Sequence, residues 1–171
     1  MKRTLLLTVL AISLSLNAQI NQKPVKNLSV EFLGAHNGFG LNYDSRFNGN
    51  EGLGYRVGLS YAYLFPAQDA DIHGVAVPLE LNYLIGRGLV KLELGAGASL
   101  GYYSIKDKSM GSVGENKRND FGYFIFGNAA LRLQPQRGLT LRLGVTPNFG
   151  FEKKYSITHY PYPYLSVGYA F

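Results

Sequence analysis

The chain has 171 residues, enough for one domain, and carries a formal charge of +6 with only 16% charged residues. It has no Cys, which excludes disulfide staples, thiolate metal sites and a lipid-bearing cysteine. The 21 Gly and 13 Tyr depart from ordinary soluble composition, and the mild basic excess fits an anionic lipid surface better than nucleic acid.

Met1-Lys2-Arg3 followed by the apolar run Thr4 to Leu16 has the basic start and short apolar core of a secretory signal, with Ala18 as a plausible cleavage point. The run is too short for a membrane-spanning helix, which needs about 20 apolar residues. Residues 1–18 are therefore expected to leave on export, and residues 19–26, with Pro24, read as a periplasmic N-terminal leader. Removal of Lys2 and Arg3 lowers the formal charge from +6 to +4.

From Asn27 apolar residues recur at every second position. Leu28, Val30 and Phe32 alternate with Ser29 and Glu31, and after the His36-Asn37-Gly38 turn Phe39, Leu41 and Tyr43 alternate with Asn42, Asp44 and Arg46. Period two means a β-strand with one apolar face. Asn48 to Gly52 is a turn. The third strand sets Leu53, Tyr55, Val57, Leu59, Tyr61 and Tyr63 against Arg56 and small residues, and Pro66 to His73 reads as a polar loop. The fourth sets Val75 to Ile85 against Ala76, Pro78, Glu80 and Asn82. Pro78 cannot donate to a ladder, so an irregularity is expected there.

Leu89 to Tyr103 is the strictest stretch. Val90, Leu92, Leu94, Ala96, Ala98, Leu100 and Tyr102 face away from Lys91, Glu93, Gly95, Gly97, Ser99 and Gly101. Ser104 to Asp120 reads as the longest polar connection. A sixth strand follows with Phe121, Tyr123, Ile125, Ala129, Leu131 and Leu133 on one face and Phe124, Phe126, Asn128 and Arg132 on the other. The seventh runs from Leu139 to Phe151, with Thr140 and Arg142 on its second face. Glu152 to Tyr160 is polar, and the chain closes on Leu165, Val167, Tyr169 and Phe171.

Eight strands, an even number, with aromatics near strand ends (Tyr61, Tyr63, Phe65, Tyr83, Tyr102, Tyr103, Phe121, Tyr123, Phe149, Phe151 and Tyr169) predict an all-β, eight-stranded antiparallel up-and-down transmembrane β-barrel over residues 27–171. Short connections after the second, fourth and sixth strands and longer ones after the third, fifth and seventh put both termini in the periplasm; the first connection is the exception. The competing architecture is a soluble lipocalin-like barrel with the same faces reversed. Glycines beside Arg, Lys and Glu argue for the charged face as the cramped inner one.

The signal-like start, the segment Val77-Pro78-Leu79-Glu80-Leu81-Asn82-Tyr83 and the ending Ser166-Val167-Gly168-Tyr169-Ala170-Phe171 make the chain resemble the small outer-membrane β-barrel proteins, the porin-family or OmpA/OmpX-like type common in Bacteroidetes. The resemblance implies the outer membrane of a Gram-negative bacterium. It also implies that Leu165, Val167, Tyr169 and Phe171 form the signal read by the barrel-assembly machinery.

Inward positions bring together Glu31, Asp44, Glu80 and Glu93 with Arg46, Arg56, Lys91, Arg132 and Arg142, which should pair because isolated buried charges cost several kcal/mol each. The expectation is a plugged lumen and a structural or surface-interaction role. A narrow solute or hydrophobic-ligand barrel is the alternative, with Phe124, Phe126, Tyr162 and Tyr164 as a lumen aromatic pocket. A lipid A-modifying enzyme is the third reading. His36, His73 and His159 fall in loops or at their edges, and neither Asp69-Asp71-His73 nor Ser156-His159 makes a recognisable catalytic or metal site. No catalytic residue, metal or cofactor is expected, and the barrel is expected to be a monomer. Lys106, Lys108, Lys117, Arg118, Lys153 and Lys154 are candidate contacts for lipopolysaccharide phosphates.

Overall fold

The structure is a computed structural model that describes residues 23–63, 70–107, 117–150 and 161–171. Eight strands, β1 (Lys26–Leu33), β2 (Gly38–Arg46), β3 (Gly52–Ala62), β4 (Ala70–Ile85), β5 (Val90–Asp107), β6 (Lys117–Leu133), β7 (Gly138–Gly150) and β8 (Pro161–Ala170), pair antiparallel in chain order. β8 returns to β1, so the barrel is closed. The export segment 1–18 and the first leader residues lie outside the described residues. Val25 is already tied down, its N–H donating to the Gly49 carbonyl at 2.8 Å.

The faces are sorted as the alternation requires, and in the opposite sense to a soluble protein. Leu59 and Leu143 are 61% and 64% exposed, whereas Asp44, Glu93 and Arg132 are fully buried. An outer surface of Leu, Val, Ile, Phe and Tyr around a charged interior is stable only where the surroundings are hydrocarbon, and a closed barrel satisfies every strand edge there. The molecule is a transmembrane barrel, and the soluble reading with leucines lining a cavity does not hold. Followed in register round the barrel, across the gap in the β6–β7 ladder at Gly127, Lys26 leads through Ser45, Tyr55, Leu81, Ala96, Gly127 and Pro147 to Pro161, which the β8–β1 register lines up with position 36 rather than 26. That stagger tilts the strands and brings side chains from all eight into one narrow lumen.

Two sequence expectations need correction. The polar stretch from Ser104 to Asp120 is not all connection, since β5 runs on to Asp107 and β6 begins at Lys117; likewise β4 begins at Ala70, inside the expected Pro66 to His73 loop. Apolar alternation is needed only where one face meets lipid. A ladder that continues beyond the bilayer can carry polar residues on both faces. β4, β5 and β6 have 16, 18 and 17 residues, well beyond the roughly 9–11 that cross a membrane, so they rise as a wall at the end away from the termini. Tyr103 belongs to the inner face, packed with Ala62, Ile72, Ala76 and Ile105, and is not a girdle residue. Phe65, Phe151 and the connection at 152–160 lie outside the described residues.

The irregularity at Pro78 is present as a gap in the β3–β4 ladder: pairing stops after Val57↔Leu79 and resumes at Ser60↔Ala76 without a change of register. Toward β5, Pro78 is paired normally with Ser99.

Candidate functional site

Among the described residues the lumen is where chemistry-bearing side chains converge, and its middle is a tier of guanidinium and carboxylate groups contributed by β1 to β7. Arg132 anchors it. Its Nη2 lies 2.7 Å from Asp44 Oδ1, its Nη1 2.8 Å from Glu93 Oε2, and its Nε donates to Gln134 Oε1 at 2.8 Å. Arg56 reaches Glu31 at 3.3 Å and Glu80 at 3.2 Å and also pairs with Glu93. Arg46 Nη2 lies 2.9 Å from Asp44 and also donates to Asn82, while its Nη1 donates to the Gly52 carbonyl.

Arg142 differs from the other three. Its Nη2 donates to Ser29 Oγ at 2.6 Å and to Ser166 Oγ at 3.1 Å, and its nearest carboxylate oxygen, on Glu93, is 3.8 Å away. Amides add further contacts. Asn128 donates to Glu80 and Glu93 while accepting from Tyr164, and Asn42 donates to Glu31. Four arginines thus face four carboxylates, so the tier is neutral in sum and its groups are held by charge-assisted bonds. Removing any one partner would strand the others in a water-poor interior. Lys91, grouped with these charges by alternation, stands apart from this tier. It sits toward the terminus end, where its Nζ donates to the Asn50 carbonyl at 2.7 Å.

Alternation alone gave no sign of the second layer. The β1–β2 connection does not project outward. It turns inward as one 3-10 turn, Gly34–His36, whose three residues are all buried. His36 was expected in an exposed loop, yet it is 1% exposed, with Nε2 3.1 Å from Asn42 Oδ1 and 3.7 Å from Glu31. The acceptor at Asn42 places the ring proton on Nε2. Ala35 packs against Phe124 and Phe126. Of the four aromatics expected to line a pocket, Phe124, Phe126 and Tyr164 have the inward turn packed against them, and Tyr162 is buried in register with Thr146 of β7. The clue available in the sequence was the first connection, the only short one among those expected on the outside.

At the terminus end the β2–β3 turn crosses the mouth. Asn50 Nδ2 donates to the Gln134 carbonyl at 3.0 Å, bridging to the far side of the barrel. Beside it a hollow of about 340 Å³ lies between Lys23, Pro24, Gly49, Gln136 and Phe171. Phe171 and Lys26 exchange both backbone hydrogen bonds, at 2.9 and 3.2 Å, so the last residue completes the β8–β1 seam. Leu165, Val167, Tyr169 and Phe171 all point outward and are exposed.

The other candidates are dispersed. Asp71 and His73 stand in β4, in register with Lys106 and Ser104 of β5, so both belong to a strand rather than a loop. Asp69, Lys108, Lys153, Lys154, Ser156 and His159 lie outside the described residues, as does the side chain of Lys117. Arg118 is exposed and pairs with Asp120 at 3.0 Å. Among the described residues there is no cluster of His, Asp and Glu suited to a metal ion, and His36 contacts an amide and a carboxylate rather than a serine.

The sequence matches no family model and no curated protein. Solved structures match in fold. The N-terminal β-barrel domain of Pseudomonas aeruginosa OprF is 15% identical, with a TM-score of 0.55, and the match covers 89% of this chain and 100% of that one. Ail, the attachment invasion locus protein of Yersinia pestis, is 12% identical with a TM-score of 0.52 over 89% of this chain and 100% of that one. A major outer membrane protein from Thermus thermophilus is 16% identical with a TM-score of 0.54 over 88% of this chain and 100% of that one. At these identities the likeness is one of architecture, that of the small outer-membrane barrels.

Proposed function

We propose that this protein is a closed outer-membrane barrel with a structural and surface-interaction role, through which no solute passes and in which no reaction is catalysed. The observation that supports it is the filled lumen. The acids Glu31, Asp44, Glu80 and Glu93 are each paired with arginine, and the aromatic upper chamber is occupied by the chain's own Gly34–His36 turn. In this reading the short turns and both termini are periplasmic. The wall formed by β4, β5 and β6 stands outside the cell, where Lys106 and Arg118 meet lipopolysaccharide phosphates. The outward ending Leu165, Val167, Tyr169 and Phe171 is the surface offered to the assembly machinery during insertion. The protein is a monomer.

Planar-bilayer recording of the refolded full chain tests the closed lumen. The expected record has no stable open level, and a reproducible level of porin size would overturn the reading in favour of a small-solute channel. Mass profiles of lipid A from cells with and without the protein test the absence of catalysis. They are expected to be identical, and a shifted acylation pattern would sink that part of the proposal.

A further inference from the structure

The inward turn follows directly on β1, which gives Glu31 to the charge tier beneath it, while the other members of the tier come from β2 to β7. They touch mainly where His36 meets Asn42 and Glu31. The turn is held in a conformation that an ordinary outward loop would not need. Leu33 and Asn37 on either side have φ of 65° and 49°, and Gly34 has φ of 58°. For leucine that backbone is strained and persists only where the surroundings over-determine it. They do so here. A Cβ on Gly34 would lie 3.0 Å from Tyr164 Cβ and from Glu31 Oε1 and 3.2 Å from Thr146 Oγ1, so the turn is pressed against β7, β8 and the one tier carboxylate on β1. The Asn37 carbonyl accepts from the Tyr63 N–H at 3.1 Å, and Asn148 Nδ2 donates to Asn37 Oδ1 at 3.2 Å. None of these anchors involves an arginine of the tier. Conversely, the arginine partners of Asp44, Glu80 and Glu93 come from β3 and β6 and not from the turn.

We infer that the lumen is sealed twice in series. The Gly34–His36 turn is a stopper that takes none of the tier's arginines, so losing either one leaves the barrel closed, and losing both leaves only the Asn50 bridge across the terminus mouth, too thin to stop ions. The physical basis is that ion flow through barriers in series is set by the highest one left standing. A single filled cross-section of an eight-stranded barrel is enough to stop it. The inference rests on the closed-barrel reading above, and its test separates the two.

The test records the full chain in planar bilayers in four forms: the parent, a stopper variant (Ala35→Gly with His36→Ala), a tier variant (Arg56→Ser with Glu93→Ser, which keeps the tier neutral in sum while taking the close arginine from Glu31 and Glu80), and the combination. Heat-modifiable gel mobility verifies that each is folded. The expected result is silence from the first three and a stable open level from the combination. A conducting stopper or tier variant, or a folded combination that stays silent, overturns the double seal while the closed-barrel reading stands. A conducting parent overturns that reading itself.

If the combination fails to fold, Ser166→Cys supplies a second measurement, because the chain has no cysteine of its own. Ser166 is buried beside Arg142 in the tier, beneath the stopper. A charged thiol reagent added at the end away from the termini is expected to leave it unlabelled with the stopper intact and to label it when Ala35→Gly and His36→Ala are added. Labelling of the intact form, or none after the stopper is reduced, overturns the inference.

Discussion

Glu93 is met by Arg56 and Arg132, lies 3.8 Å from Arg142 and accepts from Asn128, so four inward residues from β3, β6 and β7 are tied to one carboxylate on β5. Such a hub is worth more to its neighbours than to itself. Arg132→Ala leaves Asp44 and Glu93 short of a partner and is expected to lower stability by about 3–5 kcal/mol, read as the shift of the denaturant unfolding curve of the barrel in vesicles. Arg118→Ala, at an exposed ion pair with Asp120, is expected to leave the same curve unmoved. At this scale the sequence was informative about direction and silent about partners. Alternation said that Glu31, Arg56 and Arg132 look inward. It could not say that Arg142 would rest on two serine hydroxyls, or that Lys91 would serve a turn instead of the tier, because those outcomes depend on how eight strands are staggered round the barrel.

Among the elements, the prolines show how a ladder copes with missing donors. Lys26 and Phe171 exchange both backbone bonds, and counting alternate residues round the barrel from that pair directs the Pro78 nitrogen at β3 and the Pro147 nitrogen at β6. The β6–β7 ladder is indeed interrupted there, between Phe126↔Asn148 and Ala129↔Val145. The same count points Pro161 and Pro163 past the end of β1, where there is no strand to bond, so these two prolines cost the sheet nothing. Pro147→Val restores a donor opposite Gly127 and is expected to raise stability by about 0.5–1.5 kcal/mol, measured by the unfolding midpoint, with Gly127 and its neighbours no less protected in hydrogen exchange. Strand boundaries were legible wherever a strand meets lipid. They were lost in β4, β5 and β6 beyond it, because a polar residue in a ladder outside the membrane looks the same in sequence as a polar residue in a loop.

For the whole molecule the decisive property is the inversion of its faces. Leu41, paired with Val30 and Leu59, lies well inside the apolar belt and is 56% exposed. Leu41→Arg is expected to cost about 2–4 kcal/mol in vesicle refolding, the amount for a cation on the lipid face near the midplane. No loss in a bilayer would contradict the membrane reading. Alternation was enough to dictate this architecture, because a period of two with one greasy face, repeated eight times, leaves a closed sheet in hydrocarbon as the arrangement that hides neither leucine from lipid nor backbone from a partner. What fills the barrel was settled only in three dimensions. Whether a short connection turns outward or folds in depends on the room left between Phe124, Phe126 and Tyr164, and that room is set by the stagger and tilt of strands far apart in the chain.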